Sequence, residues 1–114
     1  MGVTDEPDEG STTAPSTRCP ECELRQDRYE TGPGQHVLLE PRYEPPAHTV
    51  PAGHRWITRL DGTAINTGDA ELPAGTHCRI SHSVVCPCGE EPSGPSVLKA
   101  LWRYNSGLTA HFDL

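Results

Sequence analysis

The sequence predicts a small, mainly-β domain of three to four antiparallel strands, with a short C-terminal helix and a disordered N-terminal tail. Three observations carry this reading. Short β-rich runs alternate with turn residues along the chain, which holds 12 Pro and 11 Gly in 114 residues, so loops and turns outweigh regular structure. The hydrophobic fraction is 33%, a thin basis for a core, and small domains of this kind usually add a cross-link or a metal. Five cysteines fall into two groups, Cys19 with Cys22 and Cys78 with Cys86 and Cys88, which the intervening chain has to bring together.

Taken in order, residues 1–17 are acidic and rich in Ser, Thr, Pro and Gly, with Val3 the one large aliphatic side chain after Met1. That composition predicts disorder, and the chain divides into a tail at 1–18, a β domain at 19–90 and a helical extension at 91–114. A Met-Gly start suggests myristoylation, but Glu6 stands where that signal needs Ser or Thr. Cys19-Pro20-Glu21-Cys22 follows, and its two-residue spacing lets both sulfurs face one ion in a tight knuckle. Glu23 occupies the position where such a knuckle usually has Gly. Residues 24–30 fit a short strand or a helical turn, since periodicity does not decide over so few positions. Gly32-Pro33-Gly34 then turns the chain.

Residues 35–40 read as a strand, with Val37 and Leu39 on one face and His36, Leu38 and Glu40 on the other, ended by Pro41. The proline-rich residues 42–51 are expected to be extended without ladder hydrogen bonds. Residues 54–66 form the clearest hairpin, two β-rich runs joined at Asp61-Gly62, read as a two-residue type I′ turn. Trp56 is expected inward as a core anchor, leaving Arg55, Ile57 and Arg59 on the opposite face. Residues 76–85 read as a strand, straight or bent. Residues 96–104 fit a helix capped by Ser96, with Val97, Leu98, Leu101 and Trp102 on one stripe and Asn105-Ser106-Gly107 as the stop.

The paired cysteines point to one structural zinc per chain in a zinc-ribbon-like domain. Such an ion contributes roughly 10–16 kcal/mol of apparent binding energy, more than the net stability of a typical domain. Cys19 and Cys22 supply the first pair. Cys78 and Cys86 are the expected second pair, brought level by a reversal near His82. His82 with Cys86 is the main rival, and Cys88 the third choice, because Cys86-Pro87-Cys88 would close an unusually tight ring around one ion.

Charge and motif content bound the function. The formal net charge is −7, from 16 acidic and 9 basic residues. Asp5, Glu6, Asp8 and Glu9 precede the first base, Arg18, leaving nine bases against twelve acids from Arg18 onward. Nucleic-acid binding runs on phosphate neutralisation, so this balance argues against it. No run approaches the roughly 18 apolar residues of a membrane span, and no secretory leader pattern is present. The expectation is therefore a cytoplasmic protein without a membrane partner, where paired thiols are more often ligands than disulfides. No His-Glu-x-x-His run, deaminase signature, phosphate loop or nucleophile elbow occurs, and no catalytic residue is expected. The favoured role is a non-enzymatic adaptor that docks a protein partner through Arg55, Ile57, Arg59 and Trp102, with a transcription-associated partner suggested by analogy between small ribbons. A thiol sensor or oxidoreductase using Cys19 and Cys22 is the alternative, although a thioredoxin-like dithiol opens a helix after a buried strand. A nucleic-acid-binding ribbon is the second alternative.

The combined pattern Cys19-Pro-x-Cys22, Val37-x-Leu39-Glu40-Pro41, Val50-Pro51-x-Gly53-x-Arg55-Trp56, Asp61-Gly62-x-Ala64 and Cys78-Arg79-Ile80-x-His82-x-x-Val85-Cys86-Pro87 resembles an actinobacterial family of small proteins of unknown function. The resemblance spans residues 19–87. It implies Cys19, Cys22, Cys78, His82 and Cys86 as a shared cluster, leaves Cys88 as this chain's own, and implies no activity.

Overall fold

Two antiparallel sheets and one helix build the protein, seen in a computed structural model whose described residues are 15–94 and 96–110. Strands β1 (Ser16–Arg18), β2 (Arg25–Gly32) and β3 (Gln35–Leu39) form the first sheet in that order. Residues 25–32 are ambiguous in isolation and become a strand because partners on both edges take up their backbone groups. Pairing sets Asp27 opposite Leu39 and Tyr29 opposite Val37, so Tyr29 and Leu39 share one face and form a buried cluster with Ala64, flanked by Val37 and Trp56. Most of the segment expected as a disordered tail, residues 1–14, lies outside the described residues. Its last part is corrected: Ser16–Arg18 pair with Arg25–Asp27 as an edge strand.

The second sheet consists of β4 (Trp56–Thr58) and β5 (Ala64–Asn66). Its connection differs from the expected two-residue turn. The Gly62 N–H donates to Arg59 O at 3.1 Å and the Arg59 N–H to Thr63 O at 2.8 Å, with Gly62 at φ 90 and Asp61 outside the left-handed region. Leu60 and Asp61 are thus the turn's central residues and Gly62 the left-handed residue after them. Asp61 Oδ1 fixes the arrangement by accepting from the Thr63 N–H at 3.1 Å and the Thr63 hydroxyl at 2.6 Å.

The stretch after residue 76 stitches the sheets together rather than forming a long strand. Arg79 exchanges both backbone bonds with Trp56, at 2.7 and 3.1 Å, and Ser81 bridges Leu39. The Glu40 N–H donates to Ile80 O at 2.9 Å. This pairing sends Cys78 and Ile80 into the main core with Ala47, Val50, Val85 and Leu98. The Arg79 side chain points the other way. Its guanidinium donates to Asp27 Oδ2 at 2.8 Å and Glu40 O at 2.9 Å, and lies 5.5 Å from the Tyr29 ring centre. A buried charge needs such partners.

Helix α1 (Val97–Ala110) packs Leu98 into the main core, with Val97, Leu101 and Trp102 against it. It runs through the expected stop at residues 105–107. Asn105 is 2% exposed, and its amide is engaged by Glu40 and by Val85 O, so tertiary partners replace the local bonds that usually make Asn a terminator. Among the described residues, no helix is long and apolar enough to cross a membrane.

Candidate metal centre

Three chain segments converge on one buried cluster. The first is the knuckle after β1, closed by the Glu23 N–H to Cys19 O at 2.8 Å and the Cys19 N–H to Leu24 O at 3.0 Å. Glu23, in the position usually held by Gly, takes φ 66, a left-handed conformation that costs a residue with a Cβ. The second is the 3-10 turn His82–Val84, whose first turn is capped by Ser81 Oγ accepting from the Ser83 N–H. The third is Cys86 directly after it.

One donor atom from each of Cys19, Cys22, His82 and Cys86 lies within 4.8 Å of the others, and all four residues are buried. Cys19 Sγ is 3.9 Å from Cys86 Sγ, and Cys22 Sγ is 3.3 Å from His82 Nε2. A tetrahedral ion bonded at about 2.3 Å to sulfur and about 2.0 Å to imidazole nitrogen has edges of about 3.8 and about 3.5 Å. The donor set therefore fits a four-coordinate metal. All five cysteines are free thiols.

The outer contacts prepare the histidine. Its Nδ1–H donates to Glu40 Oε2, which fixes the tautomer that turns a lone pair at Nε2 toward the sulfurs. Glu40 is 4% exposed and also accepts from Asn105 Nδ2 at 3.3 Å, while the same amide reaches Val85 O at 3.1 Å. Helix α1 is thereby tied to the cluster. Burial opposes protonation of His82, but the hydrogen bond and charge of Glu40 outweigh it and hold the imidazole above its usual value. Burial likewise pushes the Cys19 thiol up, yet the backbone N–H groups of Cys22 and Glu21 prevail and bring it to about 7. Burial raises Cys22 and Cys86, the latter to about 12, with neighbouring thiols adding to the effect. Cys22 and Cys86 are thus held as neutral thiols, and a metal bound among them would displace their protons.

The structure brings together Cys19, Cys22, His82 and Cys86 and leaves Cys78 out. Cys78 is 2% exposed in the main core, and burial raises its thiol. Its place in the expected second pair passes to His82. The physical reason is strand alternation: Cys78 and Ile80 share the core-facing side, and the chain reverses only at residue 82. Cys88 is exposed, with its Sγ 3.4 Å from Glu21 O. Glu40 and Asn105 escaped the sequence reading. The available signal was an acid closing the apolar run Val37-Leu38-Leu39.

The four residues expected to dock a partner do not share one open face. Arg55 is half-buried with Nε donating to Val50 O at 2.8 Å, and Ile57 packs on the main core. Trp102 also packs there and donates Nε1–H to Gly89 O at 3.3 Å. Arg59 is exposed. Trp56 is half-buried against the Tyr29 cluster, so both faces of β4 are covered.

Fold and site together define a small mainly-β protein with a buried Cys3His centre able to hold a metal ion. A profile described as a family of unknown function (DUF6083) matches residues 3–112, and the chain belongs to that family. No curated protein and no solved structure matches the chain.

Proposed function

We propose that the cluster holds one structural zinc and that the protein is a non-enzymatic, zinc-ribbon-like adaptor of the cytoplasm. The observation that carries this is the placement of three sulfurs and one imidazole at tetrahedral spacing, with the imidazole oriented by a buried carboxylate. Thiolate-rich tetrahedral sites favour zinc. Four protein donors fill its coordination and leave no position for substrate or water, which supports a structural role over a catalytic one. In the adaptor reading, the docking edge shifts from the half-buried Arg55, Ile57 and Trp102 to the hairpin end. There Arg59 adjoins Leu60, an apolar residue 81% exposed.

The test is thermal unfolding followed by circular dichroism, with and without a strong chelator. Loss of the folded signal on chelation supports a structural ion, and an unchanged melt contradicts it. A thiol-sensor reading is favoured by one observation, the exposed Cys88 thiol beside the knuckle at Glu21. Zinc release by mild peroxide from the parent, and its retention in Cys88→Ser, would select that reading.

A further inference from the structure

A cleft of about 880 Å³ lies between the first sheet, the turn after β3 and the end of the β4–β5 hairpin. Arg25, Arg42, Arg59 and Arg79 line it against two acids, Asp27 and Glu44, a local surplus of positive charge in a chain of net charge −7. Arg79 is buried and already bound to Asp27 at 2.8 Å. Arg25, Arg42 and Arg59 are exposed, and among the described residues none of the three forms a salt bridge. Arg42 moreover takes φ 59, a left-handed conformation that costs a residue with a Cβ, and no ion pair there offsets that strain. Such a surplus suits carboxylates. Ser16 also lines the cleft, and its register opposite Asp27 sets the two on one face of the sheet. Pro15, just before it, is pinned by the Arg28 N–H donating to its O at 2.9 Å. The described chain therefore starts on the wall of the cleft. The residues that precede it carry Asp5, Glu6, Asp8 and Glu9 and no basic side chain.

We propose that the acidic segment at residues 5–9 of this same chain docks in the cleft, its carboxylates meeting Arg25, Arg42 and Arg59. Residues 10–15 join Glu9 to Ser16, a tether of about 25 Å at full extension that begins at the site it has to reach. A separate polyanion such as a nucleic acid has to approach the chain's overall negative charge and give up free translation, whereas this segment is already attached. Each exposed arginine–carboxylate pair is weak, so the contact depends on the tether and is screened by salt. The contact stands whether or not the protein is an adaptor. In that reading the segment also screens the hairpin end, because Leu60 lines the cleft beside Arg59.

The test compares the full, metal-loaded parent with a neutralised-tail variant carrying Asp5→Asn, Glu6→Gln, Asp8→Asn and Glu9→Gln. Both are titrated calorimetrically at about 0.05 M salt with a synthetic peptide of residues 1–12. A short tether supplies an effective concentration of about 1 mM, so a peptide of Kd about 0.1 mM should bind the neutralised-tail variant one per chain and the parent about tenfold more weakly. Adding Arg42→Gly, which the backbone at φ 59 accepts, to the neutralised-tail variant should weaken the peptide about threefold. Adding Arg25→Gln and Arg59→Gln as well should abolish binding while one metal per chain is kept, which separates loss of the site from loss of the fold. Backbone amide resonances of Arg25, Arg42, Arg59 and Leu60 should differ between the parent and the neutralised-tail variant, and the difference should vanish at about 0.5 M salt. Equal peptide affinity in the two chains, no binding to the neutralised-tail variant, or resonance differences away from the cleft would overturn the proposal. So would inorganic phosphate binding the cleft equally in both, or a parent that is dimeric where the neutralised-tail variant is monomeric, which would put the segment on a second copy.

Discussion

Replacing Glu40 by Ala probes the link between the fold and the metal most sharply. Glu40 is 4% exposed and receives the His82 Nδ1–H and the Asn105 amide. Without it the Asn105 amide keeps Val85 O at 3.1 Å, whereas the imidazole N–H loses its acceptor in a buried setting. One orphaned buried donor costs about 1–3 kcal/mol. Loss of a carboxylate partner behind a metal-bound histidine typically weakens metal binding about 10–100-fold, or about 1.4–2.8 kcal/mol; the two estimates agree. Glu40→Gln retains an acceptor oxygen and should lose less than about tenfold on the same scale. The assay is competition for zinc between the protein and a chromophoric chelator at pH 7.5. A Glu40→Ala affinity within twofold of the parent would refute the reasoning, as would a Glu40→Gln variant weaker than Glu40→Ala.

Other expectations follow from the same structure. Glu23→Gly should raise stability by about 0.5–1 kcal/mol, because φ 66 costs roughly 1–2 kcal/mol with a Cβ and Gly gives back part of that as unfolded-chain entropy; a lower thermal midpoint would contradict this. Cys78→Ala should keep one metal per chain yet lose about 1 kcal/mol through the void left in the core, measured by urea unfolding. Burial lifts Cys78 above its ordinary value of 9.0, so the neutral thiol's contribution is present below that value and is lost as pH rises through the folded one. The gap between parent and Cys78→Ala should accordingly narrow above pH about 9. Arg79→Ala should cost about 3 kcal/mol or more, since it leaves Asp27 without its charged partner in a largely buried site; a loss under about 1 kcal/mol would show that the pair is dispensable.

Local features were legible in the chain and long-range ones were not. The knuckle was readable because Cys19 and Cys22 need nothing distant to face the same way. The β3 strand and the position of the hairpin were readable for the same reason. The fourth ligand was not, because it depends on the pairing of residues 79 and 81 with Trp56 and Leu39, which decides that Cys78 joins the core and His82 the cluster. Glu23 is an irregular residue for a knuckle by its type alone, and it sits in the left-handed region. Helix α1 outran its stop signal because Asn105 finds Glu40 and Val85, partners that no local pattern reveals. The arginine-flanked face of β4 looked open in sequence because alternation predicts two faces and says nothing about whether a second core covers the other one.

The most direct measurement is native mass spectrometry of the purified chain beside single variants. One zinc per parent chain is expected, retained in Cys78→Ser and Cys88→Ser and lost in Cys19→Ser, Cys22→Ser, His82→Ala and Cys86→Ser. A folded parent free of metal, or zinc that survives His82→Ala and vanishes in Cys78→Ser, would contradict it.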